Sequence, residues 1–311
     1  MDFLTQKCVY YLHVAAGGQI RVGISGWRYT PWRGVFYPEK LTQKLELSYA
    51  SSKFNSLEIN GTFYSLQRPT SFMRWKADTP DDFVFSVKGP KFITHVRRLR
   101  DVEIPVSNFL ASGVLLLGKK LGPFLWQFPP SLHYDHELFE SFCKILPMNG
   151  AAAIEMARHH DKWVRTEEGA EIPAEMPIRH AIEIRHKSFA NAEFVELLRR
   201  YQVAMVCADT PEWPRLMDIT SDFVYCRLHG SEKLYANGYD DKSLDEWARR
   251  VVDWAQGREP EDAHRVIESA GPKRRARDVF VYFDNDLKVR SPVDAMALAE
   301  RVKKLLPATK S

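Results

Sequence analysis

Phe223-Val224-Tyr225-Cys226-Arg227-Leu228-His229 is the stretch whose reading decides the fold. Successive side chains of a β-strand point to opposite faces. Val224, Cys226 and Leu228 therefore share one face, and Phe223, Tyr225, Arg227 and His229 share the other. The polar members of the second face gather at the carboxyl end. Three other short runs read the same way. In 56–60, Ser56, Glu58 and Asn60 oppose Leu57 and Ile59; in 83–88, Val84, Ser86 and Lys88 oppose Phe83, Phe85 and Val87; in 181–185, Ala181, Glu183 and Arg185 oppose Ile182 and Ile184. An aliphatic face suits packing against outer helices. A second face that turns polar at the carboxyl end suits the mouth of an α/β barrel, where that fold carries its sites.

Working outward, the runs 21–25, 124–128, 203–209 and 279–285 bring the strand candidates to eight. Amphipathic stretches lie between them, among them 41–54, 135–146, 191–201, 243–256 and 291–306. Asn191 and Ser243 are candidate amino-terminal caps, Gly257 a stop, and Pro292 a first-turn residue with Pro307 beyond the far end. Strand–helix alternation predicts a parallel sheet, and eight repeats predict an α/β fold in the form of a single TIM-barrel-like (β/α)8 barrel. An open doubly wound sheet is the alternative, but Gly23-Ile24-Ser25-Gly26 leads into Trp27 and lacks the glycine-rich dinucleotide fingerprint. The expected organisation is an N-terminal extension over 1–20 and one barrel domain over 21–307. Polar surface insertions are expected near 158–177 and 258–277.

The bulk numbers agree with one large domain. A chain of 311 residues, 45% hydrophobic and 27% charged, is ordinary for a globular protein. No apolar run is long enough to cross a bilayer, and the mildly apolar 9–16 lacks the basic flank of a secretory signal. Cys8, Cys143, Cys207 and Cys226 form no C-x-x-C pair, which suits a reducing compartment, so a cytoplasmic location without a membrane partner is expected. Net charge is +4, and without Lys273, Arg274, Arg275 and Arg277 the chain carries 40 basic and 40 acidic residues. The excess is one local run, so overall basicity does not argue for nucleic acid.

The polar residues at the strand ends are the candidate site. Lys88, Arg185 and Arg227 aimed at one mouth suit a phosphate or carboxylate, since Arg grips two oxygens and Lys adds a point charge. Glu58 and Glu183 are the candidate acid/base pair, and His229 and His95 candidate proton shuttles. Asn60, Gln127 and Asn285 are amides suited to orienting a substrate. Trp27, with Tyr29, Trp32, Phe36 and Tyr37, crowds the loop after the first strand, either stacking on a ligand or packing that loop over the rim. The competing reading is a buried salt-bridge network that only closes the barrel. So many cations disfavour a multi-metal centre. No cofactor is expected, and a single divalent ion would fall on Glu58, Glu183 or Asp209.

At these same residues the sequence resembles the domain of unknown function 72 group, the YecE-like proteins. The matching blocks run from Gly23-Ile24-Ser25-Gly26-Trp27-Arg28-Tyr29 through Phe54-Asn55-Ser56-Leu57-Glu58-Ile59-Asn60 and Phe85-Ser86-Val87-Lys88-Gly89-Pro90-Lys91-Phe92-Ile93-Thr94-His95. They continue through Gln127-Phe128-Pro129-Pro130, Ile182-Glu183-Ile184-Arg185-His186 and Arg227-Leu228-His229-Gly230 to the final strand. That strand departs from the family's paired asparagines, reading Asp284-Asn285-Asp286. The resemblance implies a TIM-barrel-like fold and no settled activity. Three functions stay open: an enzyme on a phosphate-bearing substrate, including a nucleic-acid-directed hydrolase or lyase; a non-catalytic module binding nucleic acid or a phosphate ligand; and a sugar isomerase or epimerase, suggested by fold analogy alone.

Overall fold

Eight parallel strands pair in chain order and the last returns to the first: β1 (Ile20–Ser25), β2 (Ser56–Ile59), β3 (Val84–Lys88), β4 (Leu121–Gln127), β5 (His180–Glu183), β6 (Ala204–Asp209), β7 (Phe223–Leu228) and β8 (Asp278–Phe283). This computed structural model describes residues 12, 14, 18–164, 172–230, 238–285 and 289–306. The helices among them are α1 (Glu46–Lys53), α2 (Gly61–Tyr64), α3 (Pro69–Ala77), α4 (Glu103–Ala111), α5 (His136–Ile145), α6 (Gly150–Arg158), α7 (Ala192–Arg200), α8 (Asp241–Ala255) and α9 (Arg290–Leu305). None is long and apolar enough to cross a membrane.

The alternation read from sequence sorts the two faces. Val22, Ile24, Leu57, Phe85, Val87, Ile182, Val224, Cys226, Leu228, Val279 and Val281 join the large core shared with the helices. Leu125, Ala181, Ala204, Val206, Phe223, Tyr225, Phe280 and Tyr282 form a separate cluster inside the barrel. Toward the carboxyl ends this filling becomes polar. The Tyr282 hydroxyl meets the Ser56 and Ser86 hydroxyls at 2.6 and 2.8 Å, joining β8 to β2 and β3. At the amino ends Arg179 pairs with Asp278 (2.6 Å) and Asp222 (3.1 Å).

Local signals explain most element ends. The Asn191 side chain accepts from Phe194 N, as a cap should, and Gly257 takes the left-handed φ of +77° after α8. The expected Ser243 cap is displaced: α8 begins earlier, and Asp240 accepts from Ser243 N at 2.7 Å. Residues 41–54 split into a 3₁₀ turn (Gln43–Leu45) and α1. The short helices α3, α4 and α6 carry no marked apolar stripe and were not expected.

Of the insertion near 158–177, residues 165–171 lie outside the described residues. Its far end folds back on α6, where Gly150 N donates to Met176 O and Ala151 N to Ala174 O. The insertion near 258–277 is largely exposed, with Asp218 accepting from Val266 N and Ile267 N. Its basic run leads straight into the amino end of β8, so it sits at the end of the barrel opposite the mouth. Arg277 is buried there, donating to Pro272 O and Arg258 O. Of the extension 1–20, Leu12 and Val14 are buried, with Ile20 N donating to Leu12 O; residues 1–11, 13 and 15–17 lie outside the described residues, as do Asp286 and Pro307.

Gly23 lets β1 approach β2: an added Cβ would lie 1.9 Å from Ser56 O. The backbone on both sides is tied into the sheet, so relief requires the strands to part. Gly23→Ala is expected to lower unfolding free energy by about 1–3 kcal/mol, read from urea transitions with an unchanged slope.

Candidate functional site

Arg227, fully buried on β7, is the hub of an ion layer across the barrel. Its Nε donates to Glu58 Oε2 (3.1 Å) and one terminal nitrogen to Glu183 Oε2 (2.7 Å). The other donates to Glu58 Oε1 (2.9 Å), Ser25 Oγ (3.1 Å) and Asp284 Oδ2 (2.7 Å). Tyr225 adds a hydrogen bond to Glu58 Oε2 at 2.6 Å, and Arg185 pairs with the other oxygen of Glu183 at 2.7 Å. Burial alone would raise the Glu183 carboxyl, but the guanidinium groups of Arg227 and Arg185 hold it well below the usual range. Burial also works to raise Asp284, and Arg227 with His229 outweighs it, leaving the carboxyl at about 2. These groups are locked in their charged forms.

Above this layer opens a cavity of about 760 Å³, set toward the β1–β3 side of the mouth. Trp27, Tyr29, Phe63, Tyr64 and Trp75 form its aromatic wall, and Arg28, Lys88, Lys91 and Arg185 supply positive charge against the carboxylate of Asp284, the one acidic lining group among the described residues. Trp27 stands edge-on to Trp75, 5.4 Å between centroids, and the Arg185 guanidinium lies 4.2 Å over the Trp213 ring. Lys88 ends β3. Its ammonium lies 4.2 Å over the Phe63 ring and makes no hydrogen bond or ion pair among the described residues. Burial first, and then the charge of Arg227, bring its pKa down to about 8. His95 sits on a π-turn (Phe92–Val96), with Nδ1 2.8 Å from Thr94 Oγ1 and Nε2 3.5 Å from the Gln127 amide. Partial burial, with Lys88 and Arg185 nearby, keeps this ring neutral down to about pH 4.

Of the residues singled out from sequence, Trp27, Asn60, Lys88, His95, Gln127 and Arg185 line the cavity. Glu58, Glu183 and Arg227 face inward as expected but lie beneath its floor and off its wall. For them the barrel-closing network describes what their atoms do: the carboxylate oxygens accept from Arg227, Arg185, Tyr225 and Ser25. His229 is also buried off the wall, its ring 3.3 Å from Asp284 Oδ2 and edge-on to Trp213.

Asn285 is corrected outright. β8 turns Phe280 and Tyr282 inward, so Asp284 reaches the mouth, while Asn285 donates to Asp294 Oδ2 and accepts from Ser291 in the helix layer. Asp209 is corrected for the same reason. Ala204 and Val206 face inward, and Asp209 turns outward to accept from Arg215, Tyr239 and Trp247. It therefore does not converge with Glu58 and Glu183 on a metal position. Trp32, Phe36 and Tyr37 pack among themselves beneath the rim, leaving Trp27 and Tyr29 for the cavity. Arg28, Phe63, Tyr64, Trp75 and Lys91 are lining residues that strand parity does not reveal, because loops and the helices α2 and α3 carry them.

The fold and site define an eight-stranded α/β barrel with a cationic, aromatic-walled cavity at the carboxyl ends of its strands. The model of the family described as protein of unknown function DUF72 matches residues 21–310, and the chain belongs to that family. It is 25% identical to the UPF0759 protein YunF of Bacillus subtilis over 301 residues, covering 86% of this chain and 89% of that one. It is 30% identical to the UPF0759 protein YecE of Escherichia coli K12 over 112 residues, a stretch spanning 35% of this chain and 38% of YecE. A DUF72 family crystal structure from Thermotoga maritima superposes with a TM-score of 0.66 at 25% identity, covering 92% of this chain and 98% of that one. One from Enterococcus faecalis gives 0.64 at 18% identity, covering 92% and 96%.

Two substitutions separate floor from mouth. Arg227→Met removes the shared cation of Glu58, Glu183 and Asp284 and leaves only Arg185 on Glu183, and a loss of about 3–5 kcal/mol in unfolding free energy is expected at pH 7. The deficit should shrink toward pH 4 as the Glu183 and Asp284 carboxyls, no longer held down by Arg227, take up protons. Lys88→Met should act in the opposite direction. A lysine whose pKa falls on folding leaves the unfolded chain binding more protons between about pH 8 and 10.5. Its burial penalty is therefore in full force below pH 8 and fades above it. Stabilisation by roughly 1–3 kcal/mol at pH 7, vanishing toward pH 10.5, is the expected outcome in urea titrations.

Proposed function

We propose that the barrel mouth takes up a phosphate-bearing substrate and acts on it by acid/base chemistry, as a hydrolase or lyase. The observation that carries this reading is the charge of the cavity wall: among the described residues Arg28, Lys88, Lys91 and Arg185 face one carboxylate, Asp284, which is itself paired with Arg227. Such a wall favours an anion, and the guanidinium groups offer paired donors to phosphate oxygens. The aromatic side chains suit the organic part of the ligand. Proton transfer falls to groups on the wall, with neutral His95 as acceptor and Lys88 as a donor that titrates near working pH. Glu58 and Glu183 then act indirectly, by fixing Arg227 and Arg185.

A nucleic-acid substrate is a specific form of this reading. It is favoured by the exposed ring of Tyr64 beside the cavity, with Lys91 Nζ 5.6 Å from its centre. The basic run 273–277, at the opposite end of the barrel, does not contribute to it.

Calorimetric titration with inorganic phosphate, pyrophosphate, nucleoside monophosphates and short single strands tests the reading. Binding should weaken between 50 and 200 mM salt, and Arg185→Ala should weaken it by about tenfold. For a substrate that is turned over, His95→Ala should cost about a hundredfold in rate. Binding of none of these ligands would overturn the reading; binding with no turnover of any of them would reduce it to a ligand-binding module.

A further inference from the structure

We propose that the ε-amine of Lys88 is a nucleophile that condenses with the aldehyde or ketone carbon of a phosphate-bearing substrate to form an imine. This rests on the reading of the mouth as a phosphate site and names the reactive group such a ligand would carry.

Two lysines are buried in the described structure, and they contrast. Lys120 is 6% exposed, and its Nζ donates to Lys76 O (2.7 Å), Thr79 O (2.8 Å) and Thr79 Oγ1 (3.2 Å). It is tied down by three acceptors and serves the backbone around it. Lys88 is 9% exposed and lines the cavity, with only the Phe63 ring against its ammonium. The nearby carboxylates of Glu58, Glu183 and Asp284 favour its charge from a distance, but none pairs with it directly. Glu58 and Asp284 pair with Arg227, and Glu183 with Arg227 and Arg185. A buried ammonium with no carboxylate in contact among the described residues is costly to keep, and the amine sheds its proton readily. At a pKa of about 8, roughly a tenth of it is free amine at pH 7, several hundredfold more than for a lysine of ordinary pKa.

The surroundings suit carbonyl capture. Arg28, Lys91 and Arg185 remain to hold the phosphate while Lys88 reaches the carbonyl. Asn60 Oδ1 is buried at the cavity with no hydrogen-bond partner among the described residues, an acceptor available to a substrate hydroxyl. In the reaction the amine lone pair forms the C–N bond and the carbonyl π pair moves to oxygen, which takes a proton. Neutral His95 takes the first proton from nitrogen and hands it to that oxygen, giving a carbinolamine; the nitrogen lone pair then forms the C=N bond as the C–O bond breaks, and His95 relays the second nitrogen proton to the departing hydroxyl. One water leaves for each imine formed, and nothing is oxidised or reduced.

The full chain is incubated at pH 7.5 with glyceraldehyde 3-phosphate and sodium cyanoborohydride, which reduces the imine to a stable amine, and the adducts are mapped by mass spectrometry. Lys88 is expected to be modified at least tenfold faster than exposed Lys91, to accelerate as pH rises through 8, and to be slowed by inorganic phosphate. Intact Lys88→Met protein should lose this fast phase while its slow surface labelling persists. Labelling of Lys88 no faster than Lys91, in protein that binds inorganic phosphate by calorimetry, overturns the imine and leaves the phosphate site standing. Fast labelling of Lys88 by unphosphorylated glyceraldehyde, with no protection by phosphate, upholds the nucleophile and overturns the phosphate reading.

Discussion

Everything at the mouth depends on the way Arg227 consumes the carboxylates around it. One guanidinium on β7 ties together side chains of β1, β2 and β5 and the residue that follows β8. Removing these ions from water is expensive, and their mutual attraction repays that only because nearly every lone pair finds a donor. The consequence lies one level up. With the oxygens of Glu58 and Glu183 and one of Asp284 engaged by arginines, Lys88 feels these carboxylates only from a distance, and among the described residues it makes no ion pair of its own.

The inward-facing side chains also grade along the strands. On β7 they run Phe223, Tyr225, Arg227 and then His229; on β2, Ser56, Glu58 and Asn60; on β8, Phe280, Tyr282 and Asp284. The sequence of apolar filling, hydroxyls, paired ions and cavity lets the hydroxyls and the ions of the floor meet partners of matching strength beneath the cavity. The hydroxyl layer formed by Ser56, Ser86 and Tyr282 bridges a dry core and a charged one.

Much of this was legible from period-two alternation alone. Parity turned Glu58, Lys88, Glu183, Arg185 and Arg227 inward because each strand carries an unbroken aliphatic row on its other face. Depth was not legible. Alternation tells which way a side chain points but not how far it stands from the opening, so Glu58 and Arg227 read like Lys88 although they lie beneath the floor. The final strand misled because Asp284-Asn285-Asp286 is polar at every position, leaving no aliphatic row to set its phase. Asp209 ends a strand whose inner residues, Ala204 and Val206, are as apolar as its outer ones. Phe63, Tyr64 and Lys91 come from connections after the strands, whose path is set by packing and by no periodic signal.

The cavity is lopsided, and that bears on how such a molecule can diverge. Its floor is made by strands whose side chains also hold the barrel shut. Among the described residues, its rim is made largely by the connections after β1, β2 and β3, which supply Arg28, Tyr29, Phe63, Tyr64 and Lys91. Changes in those three connections can alter which ligand is admitted without touching the ion layer, whereas changes in the floor put folding itself at stake. Ligand preference and foldability are thus written in different parts of the chain, so new specificities can be tried at little risk to the scaffold.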